Sequence, residues 1–295
     1  MKAAFYTLGC KANQFETQAM ERLFVEKGHR LVDFSEKADV YVINTCTVTA
    51  LADKKSRNAI RRAKSLNPLA KVFVCGCFAK IHPEQIQALG VDRVILSGER
   101  ASVVEYAEDS LPAAPQPGFE ILPAGGLAGR TRALMKVQDG CQNYCSYCII
   151  PYARGKCRSL PIETALEEAK RLRREGYCEI VVTGIEISSY GMDLPGRPTL
   201  AQLTKGLCEA AEGVRIRLGS LEPRTVTEEF ASLLAGLNNL CPHFHLSLQS
   251  GSDRVLQAMN RRYTAERYSQ SCETLRKSFP GCAVSTDLIV GFPGE

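Results

Sequence analysis

Short apolar runs alternate with amphipathic stretches along the first hundred residues. KAAFYTL (2–8) reads as a strand, and Gln14 to Lys27 reads as a helix with Met20, Leu23 and Phe24 apolar. DVYVINT (Asp39–Thr45) has the β-branched, apolar character of a buried strand. AKVFVCG (Ala70–Gly76) and DRVIL (Asp92–Leu96) repeat the signal, and a basic helical stretch precedes the first of them. Strands alternating with helices imply a parallel sheet with helices on both faces, joined by right-handed crossovers. SLPAAPQPGFEILPAGGLAG (Ser110–Gly129) is rich in Pro, Gly and Ala; it breaks the rhythm and reads as an interdomain linker.

A second series starts near Arg130. Its strand candidates are ALMKVQ (Ala133–Gln138), EIVVTG (Glu179–Gly184), RIRLGS (Arg215–Ser220), HFHLSL (His243–Leu248) and AVSTDLIVG (Ala283–Gly291). Helical patterns such as IETALEEAKRLRREG and TAERYSQSCETLRKSF lie between them. Repeated βα units of this length suggest a barrel or partial barrel. Asp139, Glu186, Glu222, Gln249 and Pro293 fall at the carboxyl ends of these strands, where parallel βα folds place their active sites. The chain stops at GFPGE just after a strand, so the series is expected to continue in a longer natural protein.

The chain has 295 residues, 45% hydrophobic and 23% charged, enough for a sizeable core and about two domains. No run approaches the ~18 apolar residues of a membrane span, and the N-terminus lacks the apolar stretch of a secretory signal. A cytoplasmic location is the expectation. A net charge of +5 and a pI near 8.5 permit a nucleic-acid partner without requiring one. The basic residues concentrate in DKKSRNAIRRAKS: Arg57, Arg61 and Lys64 share one helical face, Ala59, Ala63 and Leu66 another. That basic face is either solvated or in contact with phosphates.

Thirteen cysteines change the picture. In a reducing compartment they read as metal ligands, catalytic groups or apolar filler rather than disulfides, and the odd count excludes full pairing. Only four histidines disfavour a His-rich metal site. Cys141-x-x-x-Cys145-x-x-Cys148 opens directly after a strand. Thiolates are the preferred ligands of iron–sulfur clusters. Three can hold three irons of a four-iron cube, and the fourth iron is then open to the amine and carboxylate of S-adenosylmethionine. The alternative is a Cys₃ zinc site, for which Cys157 is the nearby fourth thiol. With Tyr147 before the last cysteine, the motif resembles the radical S-adenosylmethionine superfamily. That resemblance implies a reduced cluster that cleaves the sulfonium to a 5′-deoxyadenosyl radical.

Cys10, Cys46, and Cys75 with Cys77 each follow a strand of the first series. In one parallel sheet they can converge on a single edge and hold a second cluster; buried apolar cysteines are the alternative. TLGCKANQFETQ, ADVYVINTCTVT, CGCFAK, DGCQNYCSYCIIPYARGKCRS, GIEISSYG, HLSLQSGSDRVLQAMNRRY and DLIVGFPGE together resemble the methylthiotransferase family over essentially the whole chain. TLGCKANQFET is similar to the branch acting on threonylcarbamoyladenosine beside the tRNA anticodon. The isopentenyladenosine and ribosomal-protein branches fit Lys11 and Ala12 less well.

The resemblance implies an α/β fold: a flavodoxin-like parallel-sheet domain over 1–109, a linker over 110–129, and a partial TIM-type βα barrel over 130–295. The family's C-terminal RNA-binding β-barrel is expected to lie outside these residues. It implies Cys141, Cys145 and Cys148 as ligands of the radical cluster, and Cys10, Cys46 and Cys77 as ligands of an auxiliary one, with Cys77 preferred over Cys75. The cofactors implied are two [4Fe–4S] clusters and S-adenosylmethionine. The partners implied are the tRNA anticodon loop, a reductant and a sulfur donor, and no membrane. A rival of another class is a non-catalytic iron–sulfur or zinc protein that binds RNA.

Gly184, Glu186, Glu222, Gln249 and Ser250 sit where small and polar groups can hold the amine, ribose and carboxylate of a cofactor, or else serve as loop caps. Arg154, Lys156 and Arg158, with Tyr152, are placed to meet an anionic backbone or a flipped base, or are plain solvated charge. Cys157, Cys178, Cys208, Cys241, Cys272 and Cys282 read as packing residues.

Overall fold

The computed structural model describes residues 1–115, 117–126 and 131–295. The chain forms two compact units, Met1–Arg130 with Tyr152–Arg154, and Thr131–Pro151 with Gly155–Glu295.

The first unit is built on strands β1 (Lys2–Thr7), β2 (Arg30–Val32), β3 (Val40–Thr45), β4 (Lys71–Gly76) and β5 (Arg93–Val94). They form one parallel sheet in the order β2-β1-β3-β4-β5. Its helices are α1 (Lys11–Glu26), α2 (Ala50–Leu66), α3 (Cys77–Ile81), α4 (Pro83–Ala88) and α5 (Val103–Ala107). Successive side chains of a strand point to opposite faces. Tyr41, Ile43, Val72 and Val74 therefore join Ile60, Phe78 and Ile86 in one core. Val40, Val42, Phe73 and Cys75 join Met20, Phe24 and Val104 in the other. All of β3 is buried, as a central strand covered on both sides must be.

Helix α1 begins at Lys11, three residues before the sequence pattern marked it. Cys10 occupies its N-cap without a side-chain hydrogen bond, so the usual Ser/Thr/Asp signal is missing. The face expected on α2 divides. Arg57 stacks 5.6 Å from the Phe78 ring centroid, and Lys64 bonds the Gly90 carbonyl; Lys54, Lys55, Arg61 and Arg62 are exposed.

The stretch read as a linker is no free tether where it is described. Phe119, Glu120, Leu122 and Ala124 are buried, and Glu120 accepts from the Arg100 N–H at 2.6 Å and from its guanidinium. FEIL supplies apolar anchors that a composition dominated by Pro and Gly conceals. Residues 116 and 127–130, including the expected boundary, lie outside the described residues.

The second unit contains β6 (Arg132–Lys136), β7 (Gln138–Asp139), α6 (Ile150–Arg154, whose last three residues belong to the first unit), β8 (Arg158–Ser159), α7 (Ile162–Arg174), β9 (Glu179–Thr183), α8 (Leu200–Ala210), β10 (Arg215–Leu218), β11 (Ser220–Leu221), α9 (Glu228–Leu234), β12 (His243–Leu246), α10 (Asp253–Ala258), α11 (Ala265–Ser278) and β13 (Ala283–Ser285). Two parallel sheets run β10-β9-β6 and β11-β12-β13, and β7 pairs antiparallel with β8. The run expected as one strand, Arg215–Ser220, breaks at Gly219. Its first part pairs with β9 and its second with β12, so the chain passes from one sheet to the next. Among the described residues no helix is long and apolar enough to cross a membrane.

Ile60 is fully buried between α2 and the sheet. Ile60→Ala should lower the unfolding free energy of the first unit by about 2–5 kcal/mol, by loss of transfer energy plus a residual cavity. Urea titration followed by circular dichroism checks this.

Candidate active site

Strands β1, β3 and β4 are neighbours and parallel, so their carboxyl ends share one edge of the sheet. Cys10 follows β1, Cys46 follows β3, and Cys77 opens α3 straight after β4. In this 2-1-3-4-5 order the crevice at the carboxyl ends of β1 and β3 is the usual ligand site. Gly9 (φ +100°) lies so close that a Cβ there would stand 3.1 Å from Cys46 Sγ. Gly76 (φ +90°) would put a Cβ 2.3 Å from the Thr45 carbonyl oxygen. Any larger residue there would push Cys77 away from the end of β3.

Asn13 bridges the strand ends, donating to the Leu8 carbonyl at 2.7 Å and the Thr45 carbonyl at 3.0 Å, and the Cys10 thiol faces its Oδ1 at 3.8 Å. Burial pushes the Cys77 thiol up; the Arg154 charge and hydrogen bond oppose this, and Glu16 and Cys10 add to it. Cys75 is different. Its side chain lies in the apolar core, and burial pushes its thiol up to about 12.

Arg154 answers to neither alternative offered for it, a contact with an anionic backbone or flipped base or a plain solvated charge. It is 7% exposed, belongs to the first unit, and bonds the Glu16 carboxylate through Nη1 and Nη2, as well as Asn13 Oδ1 at 2.5 Å. Glu16 also faces Arg100 Nε at 3.6 Å. Arg158 lies 3.5 Å from Asp139, so of the basic trio only Lys156 is exposed.

In the second unit, Cys141, Cys145 and Cys148 lie on the loop between β7 and α6. The Cys148 N–H donates to the Cys145 carbonyl at 2.9 Å, and the Cys141 N–H to the Gly155 carbonyl at 3.0 Å. Burial pushes the Cys141 thiol up to about 11, with Glu186 and the other two thiols adding to it. Burial also raises Cys145, against the opposing charge of Arg261. Each loop thiol thus lies within electrostatic reach of the others. Among the described residues no three His, Cys, Asp or Glu side chains converge on a single ion. A four-iron cube takes each thiolate on a different iron, so its ligands stand apart. The donor set, three soft sulfurs on one partly buried loop, suits such a cluster, whose binding displaces the thiol protons.

Beside the loop opens a cavity of about 1480 Å³, with Asn143, Cys157, Glu186, Ser188, Glu222 and Arg224 among its walls. Gln138, fully buried, organises this wall. Its Oε1 accepts from the Ile185 N–H at 3.1 Å and the Glu186 N–H at 2.7 Å, while its Nε2 donates to the Asp139 carbonyl at 3.1 Å and the Gly140 carbonyl at 2.7 Å. A Cβ on Gly184 would sit 2.8 Å from the Gln138 carbonyl oxygen, which accounts for the small residue there. Glu186 accepts from the Ser188 N–H and the Ser189 hydroxyl. The Glu222 N–H donates to Ser188 Oγ at 2.9 Å, and its carboxylate pairs with Arg224 at 2.7 Å.

Gln249 and Ser250 do not line this cavity. Gln249 takes φ +69° and bonds through its backbone to Asp287 and Ile289; Ser250 accepts from the Ser252 N–H at 3.2 Å. Cys157 is not filler: it lines the cavity, accepts from Gln138 Nε2 at 3.3 Å and faces the Ser189 carbonyl at 3.3 Å. Cys178 is exposed, against the packing expected of it, while Cys208, Cys241 and Cys272 are buried. Asn13, Glu16 and Gln138 carry no sequence signal of their own, being polar residues inside otherwise regular patterns.

Sequence likeness, on a fold and a thiol set that suit it, makes this chain a radical S-adenosylmethionine enzyme. The Radical SAM superfamily matches residues 135–295, and the model described as Uncharacterized protein family UPF0004 matches residues 2–97. Threonylcarbamoyladenosine tRNA methylthiotransferase MtaB of Bacillus subtilis (strain 168) is 43% identical over 99% of this chain and 67% of its own length. The same-named protein of Aquifex aeolicus (strain VF5) is 39% identical over 100% of this chain and 74% of its own. A tRNA-2-methylthio-N(6)-dimethylallyladenosine synthase of Dehalococcoides mccartyi is 35% identical over 98% of this chain and 68% of its own. Among solved structures, the radical S-adenosylmethionine methyltransferase TsrM of Kitasatospora setae, with cobalamin and a [4Fe–4S] cluster bound, superposes with a TM-score of 0.67 at 14% identity, over 100% of this chain and 70% of its own. The chain belongs to the radical S-adenosylmethionine methylthiotransferase family.

Burial pushes the Glu186 carboxyl up; the bonds from Ser189 and Ser188 oppose this, and Glu222 adds to it. A carboxyl whose folded pKa is raised binds its proton more tightly folded than unfolded. Its contribution to stability is therefore present at low pH and lost as pH rises through the folded value. Glu186→Gln should unfold at an equal or higher urea midpoint than the parent at pH about 8, the difference narrowing toward pH about 4. A variant less stable by the same margin at both pH values contradicts this.

Proposed function

We propose that this chain places a methylthio group on C2 of N6-threonylcarbamoyladenosine next to the tRNA anticodon. One observation carries the reading: two separate sets of three cysteines, one just beyond the carboxyl ends of the parallel strands β1, β3 and β4 of the first unit and one on the loop between β7 and α6 of the second. Relatives named for threonylcarbamoyladenosine reach 43% identity, and those named for dimethylallyladenosine 35%. The 2-1-3-4-5 sheet suits a flavodoxin-like domain, and the succession β6, β9, β10–β11, β12, β13 suits part of a TIM-type barrel.

In this reading Cys141, Cys145 and Cys148 hold the cluster that meets S-adenosylmethionine, and Cys10, Cys46 and Cys77 hold the auxiliary one. When bound, the clusters would supply the one-electron chemistry and the sulfur, and S-adenosylmethionine both the hydrogen-abstracting radical and the methyl group, for replacing a C–H bond by C–S–CH₃. The protein binds and orients. Glu186 and Glu222 present carboxylates to an ammonium and to ribose hydroxyls, with Gly184 keeping the wall thin between them and Gln138. Arg224 lies on the same wall for a carboxylate. Gln249 and Ser250 serve the strand ends beside the site. A reductant, a sulfur donor and tRNA are the partners, in the cytoplasm.

Anaerobic reconstitution followed by iron and sulfide analysis tests the cofactor set, with about eight irons per chain expected for two four-iron clusters. After reduction, S-adenosylmethionine should yield 5′-deoxyadenosine, and Cys145→Ala should abolish that yield. Undiminished yield from the variant sinks the assignment, and zinc in place of iron with no cleavage favours a non-catalytic binding protein. Nucleoside mass spectrometry of tRNA from cells with and without the enzyme decides the substrate. Change confined to isopentenyladenosine or to a ribosomal protein would move the chain to another branch.

A further inference from the structure

The three-cysteine loop is gripped by another element of its own unit, the carboxyl end of α10. Asn260 stands at φ +58°; its N–H donates to the Gln257 carbonyl at 2.9 Å, and the Arg261 N–H to the Leu256 carbonyl at 2.9 Å. This pair of bonds ends a helix through one left-handed residue, a position that usually falls to glycine. Asparagine tolerates the conformation and adds an amide. Its Nδ2 donates to the Tyr144 carbonyl at 2.8 Å and the Asn143 carbonyl at 3.3 Å.

The grip continues on both sides. The Ala258 and Met259 carbonyls, at the end of α10, accept from Ser146 Oγ at 2.9 Å and the Ser146 N–H at 3.1 Å. Arg261 Nη2 donates to the Tyr147 hydroxyl at 2.5 Å, with its guanidinium 5.7 Å from the ring centroid. Asn143, Tyr144, Ser146 and Tyr147 are thus all bonded to residues 258–261, around Cys145. Tyr144 itself holds φ +50°, a strained conformation for an aromatic residue. A strained residue persists only where its surroundings over-determine it, and the Asn260 amide is bonded to its carbonyl.

We propose that the capped end of α10 is a mould that sets the three-cysteine loop before any cluster is present, with Asn260 as its positioning residue. The loop is then pre-organised, and the cost of ordering three thiols is met by the fold rather than by the metal. Its importance for the enzyme rests on the ligand reading above; the mould itself does not.

Amide hydrogen exchange on the metal-free full chain tests it. Asn260→Gly keeps the left-handed turn and removes the amide; Asn260→Asp keeps size and shape and replaces the donor with an acceptor. Exchange of the Ser146 N–H, read in peptides covering 141–148, should quicken about tenfold in both, as loss of two hydrogen bonds implies. In Asn260→Gly, exchange within 253–258 should stay at the parental rate. Unchanged exchange at 141–148 in both variants, or an increase confined to α10, overturns the proposal, since either result leaves Asn260 a mere helix cap. In reconstituted Asn260→Gly protein, a chelator should strip the Cys141/Cys145/Cys148 iron about tenfold faster, with the Cys10/Cys46/Cys77 iron unaffected. Equal acceleration of both also overturns it. If the parent takes up no iron, the ligand reading fails, and the exchange result still decides the mould.

Discussion

Parallel strands deliver their carboxyl ends to one edge, and both candidate sites depend on that constraint. A thiol one to three residues beyond β1, β3 or β4 lies at the same edge of the sheet. A thiol inside the strand, such as Cys75, is committed by the two-residue alternation to one of the packed faces instead. Cys75 and Cys77 are two residues apart, yet they have different surroundings because the strand ends between them, at Gly76. Their burial differs in kind. Cys75 is buried in the apolar cluster with Val42, Phe73 and Met20, whereas Cys77, at the start of α3, also meets a hydrogen bond from Arg154; the charges of Arg154 and Glu16 reach both thiols.

The strand–helix rhythm, the parallel sheets, the places of Cys10, Cys46 and Cys77 beyond their strands and the three-cysteine loop were legible because each is written locally: a run of apolar residues, then a turn, then a thiol. What was not legible depends on long-range pairing. Nothing within a few residues of Arg154 distinguishes it from Lys156, yet one is buried against Glu16, 138 positions away, and the other is exposed. The split of Arg215–Ser220 between two sheets depends on which neighbours its halves find. The start of α1 was missed because a cysteine stands where a capping hydroxyl or carboxylate normally marks the helix. Glu186 and Glu222 were placed correctly at strand ends, but their shared cavity and their link through Ser188 belong to the folded chain.

Both sites are framed by side chains with a common chemistry. Asn13 ties the ends of β1 and β3; Gln138 ties the start of the three-cysteine loop to the turn after β9; Asn260 holds the loop's middle. Strand ends and tight loops leave backbone N–H and C=O groups without ladder partners, and burying such groups unpaired is costly. A primary amide answers both needs, since it donates and accepts at once and brings no net charge. Negative charge is what a set of ligand thiols can least absorb from its frame, because every thiol must lose its proton to bind iron and the thiolates already repel one another. Positive charge does stand near the thiols: Arg154, paired with Glu16, acts on Cys77, and Arg261 acts on Cys145. The amides therefore fix the backbone without adding charge, while the two guanidiniums oppose the rise that burial imposes on the Cys77 and Cys145 thiols.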